Sequence, residues 1–521
     1  MALLATLSSS FLVVLNTTNI RVASPEIMTT FGVAPNWLSW LLTGYALPYA
    51  VLLTMFGRLG DLYGRKRVFV TGVACFILAS AVCAISPTFT LLTMARTLQG
   101  ISSAMIFPNS MALATGLYPP EMRGQVIGWW NTVGSVGAVL GPSIGGMVVE
   151  FLDWRWIFLM NVPVGLIVLL VIVRGVPERR RAAAPGAPDA PATPAFSKLS
   201  GFDLPGAGTL AAALIPFLVA LTIAPDTGFN LTVLVLFAAA LAAGALFLRI
   251  ERTHPNPLAD LSLFRHRTFN AGFLVGFCNG FTINGSSLLI PLYLSLVFGF
   301  GPAQIGLLVL ANALARVVIS PFSGWLTDRR GLRPATVIGG AMEAAGFLLF
   351  AFLGPRGGMA WLVTGMILYG FGSSMLKAPS FSAILSCTPR RRSSSVLGLF
   401  HTNRQAAGLI GNTLTAVILY AFIPGGGESL APGILSGAAS GAGAAGSPAG
   451  SALPWGIAQA IPGFREAFLL SALVALAAAF LAAALPQGVR RPDQVSDHQA
   501  GKETPANSDH SGQAAQAGHS S

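Results

Sequence analysis

The amino-acid sequence predicts an all-α membrane protein with fourteen transmembrane helices. Of its 521 residues, 53% are hydrophobic and only 10% are charged, whereas soluble domains carry about 25% charged residues. Continuous apolar runs of about 18 residues or more recur along the chain, and a run of that length crosses a bilayer as a helix. The runs do not alternate between polar and apolar residues, which argues against a transmembrane β-barrel.

The apolar runs are separated by charged, glycine-rich or proline-containing turns, and we number them as spans 1 to 14 in chain order. Span 1 lacks the basic start and the small-residue cleavage site of a signal peptide, so we predict that it is a transmembrane helix. The predicted limits are 3–24, 36–56, 67–87, 88–112, 124–149, 155–175, 203–223, 230–250, 269–298, 302–325, 334–354, 358–384, 396–423 and 464–486.

The distribution of charge among the loops predicts the orientation of the chain. Most Lys and Arg residues lie in the loops that follow spans 2, 4, 6, 8, 10 and 12 and in the C-terminal tail. The opposite side carries only Arg155, Arg356 and Arg465. Because basic loops stay in the cytoplasm, we predict that both termini are cytoplasmic. The net charge of +12 follows from this topology, so no nucleic-acid partner is needed.

A charged motif occurs twice on the predicted cytoplasmic side, as GRLGDLYGRKR after span 2 and as GWLTDRRGLR after span 10. We predict that ion pairs between two bundles close a cytoplasmic gate here, the alternative being simple anchoring by positive charge. The two copies share their spacing from glycine to aspartate to glycine: Gly57, Asp61, Gly64 and Arg65 in the first, and Gly324, Asp328, Gly331 and Arg333 in the second.

The recurrence of this motif indicates that one six-helix bundle was duplicated around a middle pair of helices. The predicted domains are the first bundle at 1–175, a cytoplasmic linker at 176–202, the inserted spans 7 and 8 at 203–250, a second linker at 251–268, the second bundle at 269–486 with a flexible external loop at 424–462, and a disordered cytoplasmic tail at 487–521.

These motifs resemble those of the major facilitator superfamily, and more narrowly those of its fourteen-helix drug:proton antiporter family. The resemblance covers nearly all of residues 11 to 486, with ARTLQG in span 4, GAVLGPSIGG in span 5, WRWIFLMNVPVG at span 6, SPFSGWLTDRRG in span 10 and NRQAAGLIG in span 13. It implies the major facilitator fold, with spans 7 and 8 at the periphery. It also implies a proton-coupled exporter of small amphiphilic molecules that works by alternating access.

The motif in span 5 has glycines every four residues, at Gly137, Gly141 and Gly145, followed by Gly146. Glycines at this spacing form one ridge on which another helix can pack closely, and Pro142 permits a bend. Tight packing alone would also account for the pattern. The resemblance implies in addition that this antiporter helix seals the transport pathway.

Five cations but only one central acid fall within the predicted spans. An excess of cations in a cavity attracts anions, so the substrate is predicted to be anionic or to carry acidic groups. The alternative is that these cations pair with carbonyl groups or extend to the membrane interface, without attracting a substrate. The cations are Arg21, Arg96, Arg316, Lys377 and Arg404, and the acid is Glu343.

Span 1 departs from the family, whose typical motif reads LDTTIVNVALP where this chain has LNTTNIRVASP. Asn16 stands where the family has an acid, and Arg21 where it has a neutral amide. Because Asn16 cannot titrate, we predict that Glu343 carries the proton, the alternative being a fixed ion pair with Lys377. The resemblance implies a role in proton transfer for Arg96 as well, and a structural network with Gln99 is its alternative.

The predicted substrate cavity collects polar and aromatic residues from several spans, with Asn279 and Asn284 of span 9 as weaker candidates. Its members are Asn16, Arg21, Trp40, Tyr45, Arg96, Gln99, Arg316, Lys377, Arg404 and Gln405.

Several classes of function lack the residues that they need. A nucleotide-driven pump requires Gly-Lys-Ser/Thr after a Gly-rich turn, and the GKE at 501–503 lacks the hydroxyl. We find no catalytic triad, paired carboxylates or zinc pattern, and therefore predict no enzyme, no cofactor and no metal. Of the histidines only His401 lies near a possible cavity, where a packed or gate-lining role is expected. The four cysteines fit as apolar packing residues.

The predicted partners are a small-molecule substrate, protons and the lipid bilayer, with the protein as a monomer in a bacterial cell membrane. An exporter of lipids or lipid precursors is the main alternative, because cationic residues also suit phosphate head groups and one fold hosts many cargoes. A channel fits less well with a duplicated gate.

Overall fold

The computed structural model describes residues 2–33, 35–119, 122–175, 203–227, 230–254, 257–300, 302–353, 358–389, 392–421 and 454–485, and within them it is helical without any β-strand. Nine of the helices in these ranges are long and apolar enough to cross a membrane. The predicted all-α membrane architecture is therefore confirmed. The count of fourteen spans and the cytoplasmic termini stay predictions.

The helices take the numbers of the predicted spans, and α6 consists of two consecutive pieces. Their bounds are α1 Ala2–Phe31, α2 Pro35–Tyr63, α3 Arg65–Ile85, α4 Phe89–Gly116, α5 Arg123–Phe151, α6 Arg155–Leu159 with Asn161–Gly175, α7 Leu204–Thr227, α8 Leu231–Thr253, α9 Arg267–Phe298, α10 Pro302–Arg330, α11 Leu332–Leu353, α12 Gly358–Ser386, α13 Ser393–Ala421 and α14 Pro454–Leu481.

Helix α14 begins ten residues before the limit predicted for span 14, inside the segment 424–462 that was predicted to be a loop. Pro454 starts the helix, a position where proline is favoured because its missing N–H is not needed. Pro462 lies inside the helix. Because proline usually breaks a helix, the sequence predicts that span 14 starts only after Pro462. Residues 422–453, the linker at 176–202 and the tail from 486 lie outside the described residues.

The pattern of helix contacts in the first six helices recurs in the last six. Helices α1 and α5, α2 and α4, α3 and α4, and α3 and α6 pack together, as do α9 and α13, α10 and α12, α11 and α12, and α11 and α14. The two bundles meet through α2 with α13 and α5 with α10, which are again equivalent pairs. This pattern is what duplication of one bundle produces.

Two single-residue turns keep equivalent helices in register. Gly64 joins α2 to α3 with φ of 107°, and Gly331 joins α10 to α11 with φ of 89°. Side chains other than glycine rarely adopt such angles. The last glycine of each repeated motif therefore ends one helix and starts the next in a fixed direction.

Candidate functional site

Asp61 lies in the last turn of α2 and caps the start of α13 in the other bundle. Its carboxylate accepts hydrogen bonds from the backbone N–H of Ser394 (3.2 Å), the backbone N–H of Ser395 (2.8 Å) and the Ser395 hydroxyl (2.7 Å). It also pairs with Arg65, the first residue of α3, at 3.1 Å. Because the first turn of a helix has unpaired N–H groups and partial positive charge, this buried carboxylate stabilises the contact between the bundles.

Asp328 makes the equivalent contact in the opposite direction, from the second bundle to the first. It lies in the last turn of α10 and accepts hydrogen bonds from the backbone N–H groups of Gly124 (2.9 Å) and Gln125 (2.8 Å) at the start of α5. We call Asp61 with Ser394 and Ser395 the first latch, and Asp328 with Gly124 and Gln125 the second latch.

The glycine that precedes each aspartate by one turn lets the two helices touch. A Cβ on Gly57 would collide with the carbonyl oxygen of Ser394, and a Cβ on Gly324 would collide with that of Gly124. The spacing of the motif is thus explained. The first glycine permits contact, the aspartate one turn later lies on the same face and caps the partner helix, and the last glycine ends the helix.

Both latches lie at the same end of the molecule, which we call the gate end. The end of α4 at Gly116 lies beside Arg65, the ion-pair partner of Asp61 in the first latch, and the next helix, α5, begins at Arg123 beside the second latch. The ion pair of Asp61 with Arg65 lies within the first bundle, and ion pairs between the bundles stay a prediction. Among the described residues, both aspartates accept hydrogen bonds across the bundles from backbone N–H groups at helix starts, and Asp61 also accepts one from the Ser395 hydroxyl. Arg333 lies in the first turn of α11.

Four ring side chains, two from each bundle, pack between the latches and the centre of the molecule. Phe107 of α4 and Trp130 of α5 have ring centroids 4.7 Å apart, and Phe107 lies 4.5 Å from His401 of α13. Phe381 of α12 lies 5.2 Å from His401. We call these four residues the aromatic floor. They close the space between the bundles on the side of the gate end.

Above the aromatic floor lies a central cavity of about 330 Å³ between the bundles. Helices α1, α2, α4 and α5 line it from one bundle, and α9, α10, α12 and α13 from the other. Arg316, Lys377, Arg404 and Gln405 line it as predicted, and so does Tyr45. No carboxylate stands among its lining residues in the described part of the chain.

Two of the three cations of the cavity have neutral hydrogen-bond partners. Arg316 donates a hydrogen bond to the Tyr369 hydroxyl at 2.7 Å, and Arg404 donates to the side-chain oxygen of Asn279 at 3.2 Å. Each guanidinium keeps a buried Nε without a hydrogen-bond partner among the described residues. The positive charge of the cavity is therefore not neutralised by acids that line it.

Asn16 does not belong to the cavity, contrary to the prediction. It is fully buried and accepts a hydrogen bond at 3.1 Å from the amide of Asn161 in α6, so it joins helices within the first bundle. Arg21 lies in α1 and Trp40 in α2, but their side chains are outside those that the structure describes.

A second cavity of about 410 Å³ adjoins the first and contains the side chain of Arg96. The guanidinium lies over the ring of Tyr45 at 4.4 Å and donates to Gln99 at 2.9 Å. Gln99 is itself fully buried and donates to the Ser80 hydroxyl at 2.7 Å. These contacts favour the structural network that was the alternative for Arg96, and Gln99 lines neither cavity.

Glu343 is fully buried in α11 and lines neither cavity. One carboxyl oxygen accepts a hydrogen bond at 2.7 Å from Thr282 of α9, and the other is buried without a hydrogen-bond partner among the described residues. Arg316 and Lys377 are the cations that act on it electrostatically. The fixed ion pair with Lys377 is not among the ion pairs of the described residues.

The glycine ridge of α5 packs against α1. A Cβ on Gly137 would lie 3.1 Å from the carbonyl oxygen of Phe11, and one on Gly145 would lie 3.3 Å from the Cα of Asn19. Gly141 faces α1 in the same way. Gly146 follows in the same helix, and the side chain of Pro142 is outside the described ones.

Sequence reasoning missed the groups that each aspartate contacts and most of the aromatic floor. The two latches use backbone N–H groups, which every residue except proline has, so residue type does not reveal them. Unpaired N–H groups usually occur at the start of a helix. Phe107, Trp130 and Phe381 are apolar residues in apolar helices, where composition gives no signal. The described residues contain no group of His, Cys, Asp and Glu side chains that could hold a metal ion.

Comparison with known sequences gives one family and many relatives. The family described as Major Facilitator Superfamily matches residues 6–412. The multidrug resistance protein Stp of Mycobacterium tuberculosis (strain CDC 1551 / Oshkosh) is 30% identical over 426 residues, which cover 81% of this chain and 76% of Stp. The tetracenomycin C resistance and export protein of Streptomyces glaucescens is 28% identical over 418 residues, which cover 80% of this chain and 75% of that protein.

Among solved structures, that of the human organic anion transporter MFSD10 is similar, with a TM-score of 0.58 at 16% identity. The match covers 92% of this chain and 98% of the other. At this identity the likeness is one of fold alone.

Proposed function

Since the chain belongs to the major facilitator superfamily, and is therefore a multi-pass membrane transporter of small molecules and not an enzyme, we propose that it exports small amphiphilic anions by proton-coupled alternating access. Relatives named as a multidrug resistance protein and as a tetracenomycin C resistance and export protein support export of small amphiphilic molecules.

The positive charge of the central cavity carries the proposal. Arg316, Lys377 and Arg404 line it together, and no carboxylate lines it within the described residues. In a medium of effective dielectric about 20, one unit charge about 4 Å away contributes about 4 kcal/mol. A cavity of this kind favours anions and opposes the entry of lipophilic cations.

Alternating access is supported by the equivalence of the two latches. Each buries a carboxylate against a helix start of the opposite bundle, so both must break when the gate end opens. The cavity lies beyond the aromatic floor, which separates it from the latches. Binding would then occur with the gate end open, and release with it closed as in this structure.

Proton coupling is assigned to Glu343. It is a buried carboxyl group with one oxygen free of hydrogen bonds among the described residues, which leaves that oxygen able to hold a proton. Because Arg316 and Lys377 act on it, its negative charge would weaken their hold on an anion. Protonation of Glu343 would therefore favour binding of the anion, so exchange is possible only if the form that carries both the proton and the anion does not change conformation.

Purified protein in liposomes with an acidic interior tests the proposal. We expect uptake of the anion 8-anilinonaphthalene-1-sulfonate and little uptake of the cation ethidium. Lys377→Gln should lower anion uptake at least about tenfold, since the contribution of one nearby charge exceeds the roughly 1.4 kcal/mol that a tenfold change requires. The control Arg465→Gln should leave it unchanged, because this arginine lies over Phe352 and lines neither cavity.

Two outcomes would contradict the proposal. Preferred uptake of ethidium would exclude an anion-selective cavity, and anion uptake only when the exterior is the acidic side would exclude exchange. Flipping of a fluorescent anionic phospholipid without uptake of the soluble anion would instead favour the alternative, export of lipids.

A further inference from the structure

Helix α7 lies against the seam where α2 of the first bundle meets α13 of the second. The Thr413 hydroxyl of α13 donates a hydrogen bond at 3.0 Å to the carbonyl oxygen of Leu221 in α7. Leu218 of α7 is buried in one apolar cluster with Ala50 and Val51 of α2. Helix α7 therefore contacts both bundles, and the peripheral placement of the inserted helices stays a prediction.

Helix α8 differs from α7, because large apolar side chains along it face outward. Leu241 is 75% exposed and Val235 is 57% exposed, as expected for a helix surrounded by lipid. Of the inserted pair, α7 thus completes the contact between the bundles, and α8 separates α7 from the bilayer.

The second cavity is bounded by α7, which contributes Leu218 and Thr222 to its lining. Leu42 and Leu47 of α2 and Leu409 of α13 add apolar surface to the same cavity. Without α7, this cavity would open between α2 and α13 toward the bilayer. The inserted helix converts an open seam into a walled pocket.

The two cavities are neighbours with different charge. Thr17, Tyr45, Asn284 and Gln405 line both of them. The central cavity has three cations, whereas the ionic side chain of the second cavity, Arg96, is already bonded to Gln99 and stacked on Tyr45. The remaining lining consists of aliphatic side chains, hydroxyls, side-chain amides and one glycine, which suits an uncharged body with some oxygen atoms.

We propose that the second cavity is a binding subsite for the uncharged body of an amphiphilic anion whose acidic group lies among Arg316, Lys377 and Arg404, and that α7 limits the size of that body. This inference rests on the proposed function. It assigns to the inserted helix a part in substrate selection, which the family resemblance did not imply. The combined space of the two cavities is what one amphiphile with a charged and an uncharged part would fill.

Two anions that share a sulfonate but differ in body size test this subsite. Wild-type protein in acid-inside liposomes should take up both benzenesulfonate and 8-anilinonaphthalene-1-sulfonate. Leu218→Trp fills the pocket from α7, and we expect uptake of the larger anion to fall about tenfold while that of the smaller is kept, since a steric misfit in an apolar pocket typically costs about 1 to 3 kcal/mol. Leu241→Trp on the lipid-facing side of α8 is the matched control and should change neither.

A second variant covers the case in which Leu218→Trp does not fold. Leu218→Ala enlarges the pocket and should raise uptake of bulky aryl sulfonates relative to benzenesulfonate. If both Leu218 variants keep the wild-type ratio of the two anions, or if both anions are lost equally, the subsite is wrong. If wild-type protein takes up neither anion, the proposed function itself fails.

Discussion

Asp61 and Asp328 cap helices of the opposite bundle, although the arginines near them in sequence suggest ion pairs. Arginines stand beside both in sequence, which favoured ion pairs between the bundles. In the structure each carboxylate caps a helix of the opposite bundle. A charged acceptor at a helix N-terminus gains from both hydrogen bonds and the helix dipole, and it positions two helices more strictly than a flexible arginine would.

At the residue scale, Glu343→Gln mimics the protonated carboxyl and keeps an oxygen for the hydrogen bond from Thr282. We expect uptake driven by a pH gradient to be lost. Anion binding should become several-fold tighter, because removal of one nearby negative charge is worth on the order of 1 to 2 kcal/mol at an effective dielectric of about 20. Uptake in vesicles and equilibrium binding of the anion measure the two effects.

Glu466→Gln is the matched control for this prediction, since Glu466 is an exposed glutamate of α14. It should change neither measurement. Gradient-driven uptake that persists in Glu343→Gln would remove Glu343 from the coupling mechanism.

At the scale of elements, polar contacts tie the inserted pair to the gate end. The Asp203 carboxylate accepts a hydrogen bond at 2.6 Å from the backbone N–H of Gly206 in the first turn of α7. Glu251 at the end of α8 accepts one at 3.3 Å from the backbone N–H of Ala259. His254 lies 3.6 Å from Asp203, so the start of α7 and the end of α8 form one unit. The loop after α8 continues this unit toward α13.

Asp260 in this loop pairs with Arg392, just before the start of α13. Burial raises the pKa of the Asp260 carboxyl, but hydrogen bonds from Ser262 and the charge of Arg392 outweigh it and hold the pKa below its usual range. A lowered pKa in the folded state means that the pair stabilises the protein above the unfolded pKa of about 3.9. The contribution is lost as the pH falls through the lower folded value.

We therefore expect Asp260→Asn to lower the midpoint of thermal unfolding at neutral pH, and the difference from wild type to vanish in acid. Thermal unfolding in detergent at both pH values measures this. Asp153→Asn is the control, because its ion pair with Arg155 is exposed and worth little. An equal difference from wild type at neutral and acid pH would rule out the ion pair as the cause.

At the scale of the whole molecule, the two latches make equivalent contacts between the bundles. Each joins the end of one bundle's helix to the start of a helix in the other, and Thr54 lies fully buried in the seam between α2 and α13. Because the latches are equivalent, removal of one should leave the gate end partly closed, and removal of both should open it.

We expect Asp61→Asn combined with Asp328→Asn to raise the population that is open at the gate end by at least about tenfold, if each latch is worth about 1 to 2 kcal/mol. Reaction of Thr54→Cys with a water-soluble thiol reagent measures the opening. Each single variant should give an intermediate rate. The background must lack the native cysteines, which are Cys75, Cys83, Cys278 and Cys387. A rate unchanged by the double variant would contradict the latch assignment.

The sequence by itself determined the helical membrane architecture, the repeated motif of glycine, aspartate and glycine, and the family, because apolar run length and short motif spacing are local properties of the chain. Only the tertiary structure decided which groups meet. It pairs Asn16 with Asn161 instead of a substrate, keeps Glu343 away from both cavities and brings Leu218 of α7 to a cavity wall. These outcomes depend on how helices from distant parts of the chain pack against one another, and the period of a single helix does not record which neighbour its buried face will contact.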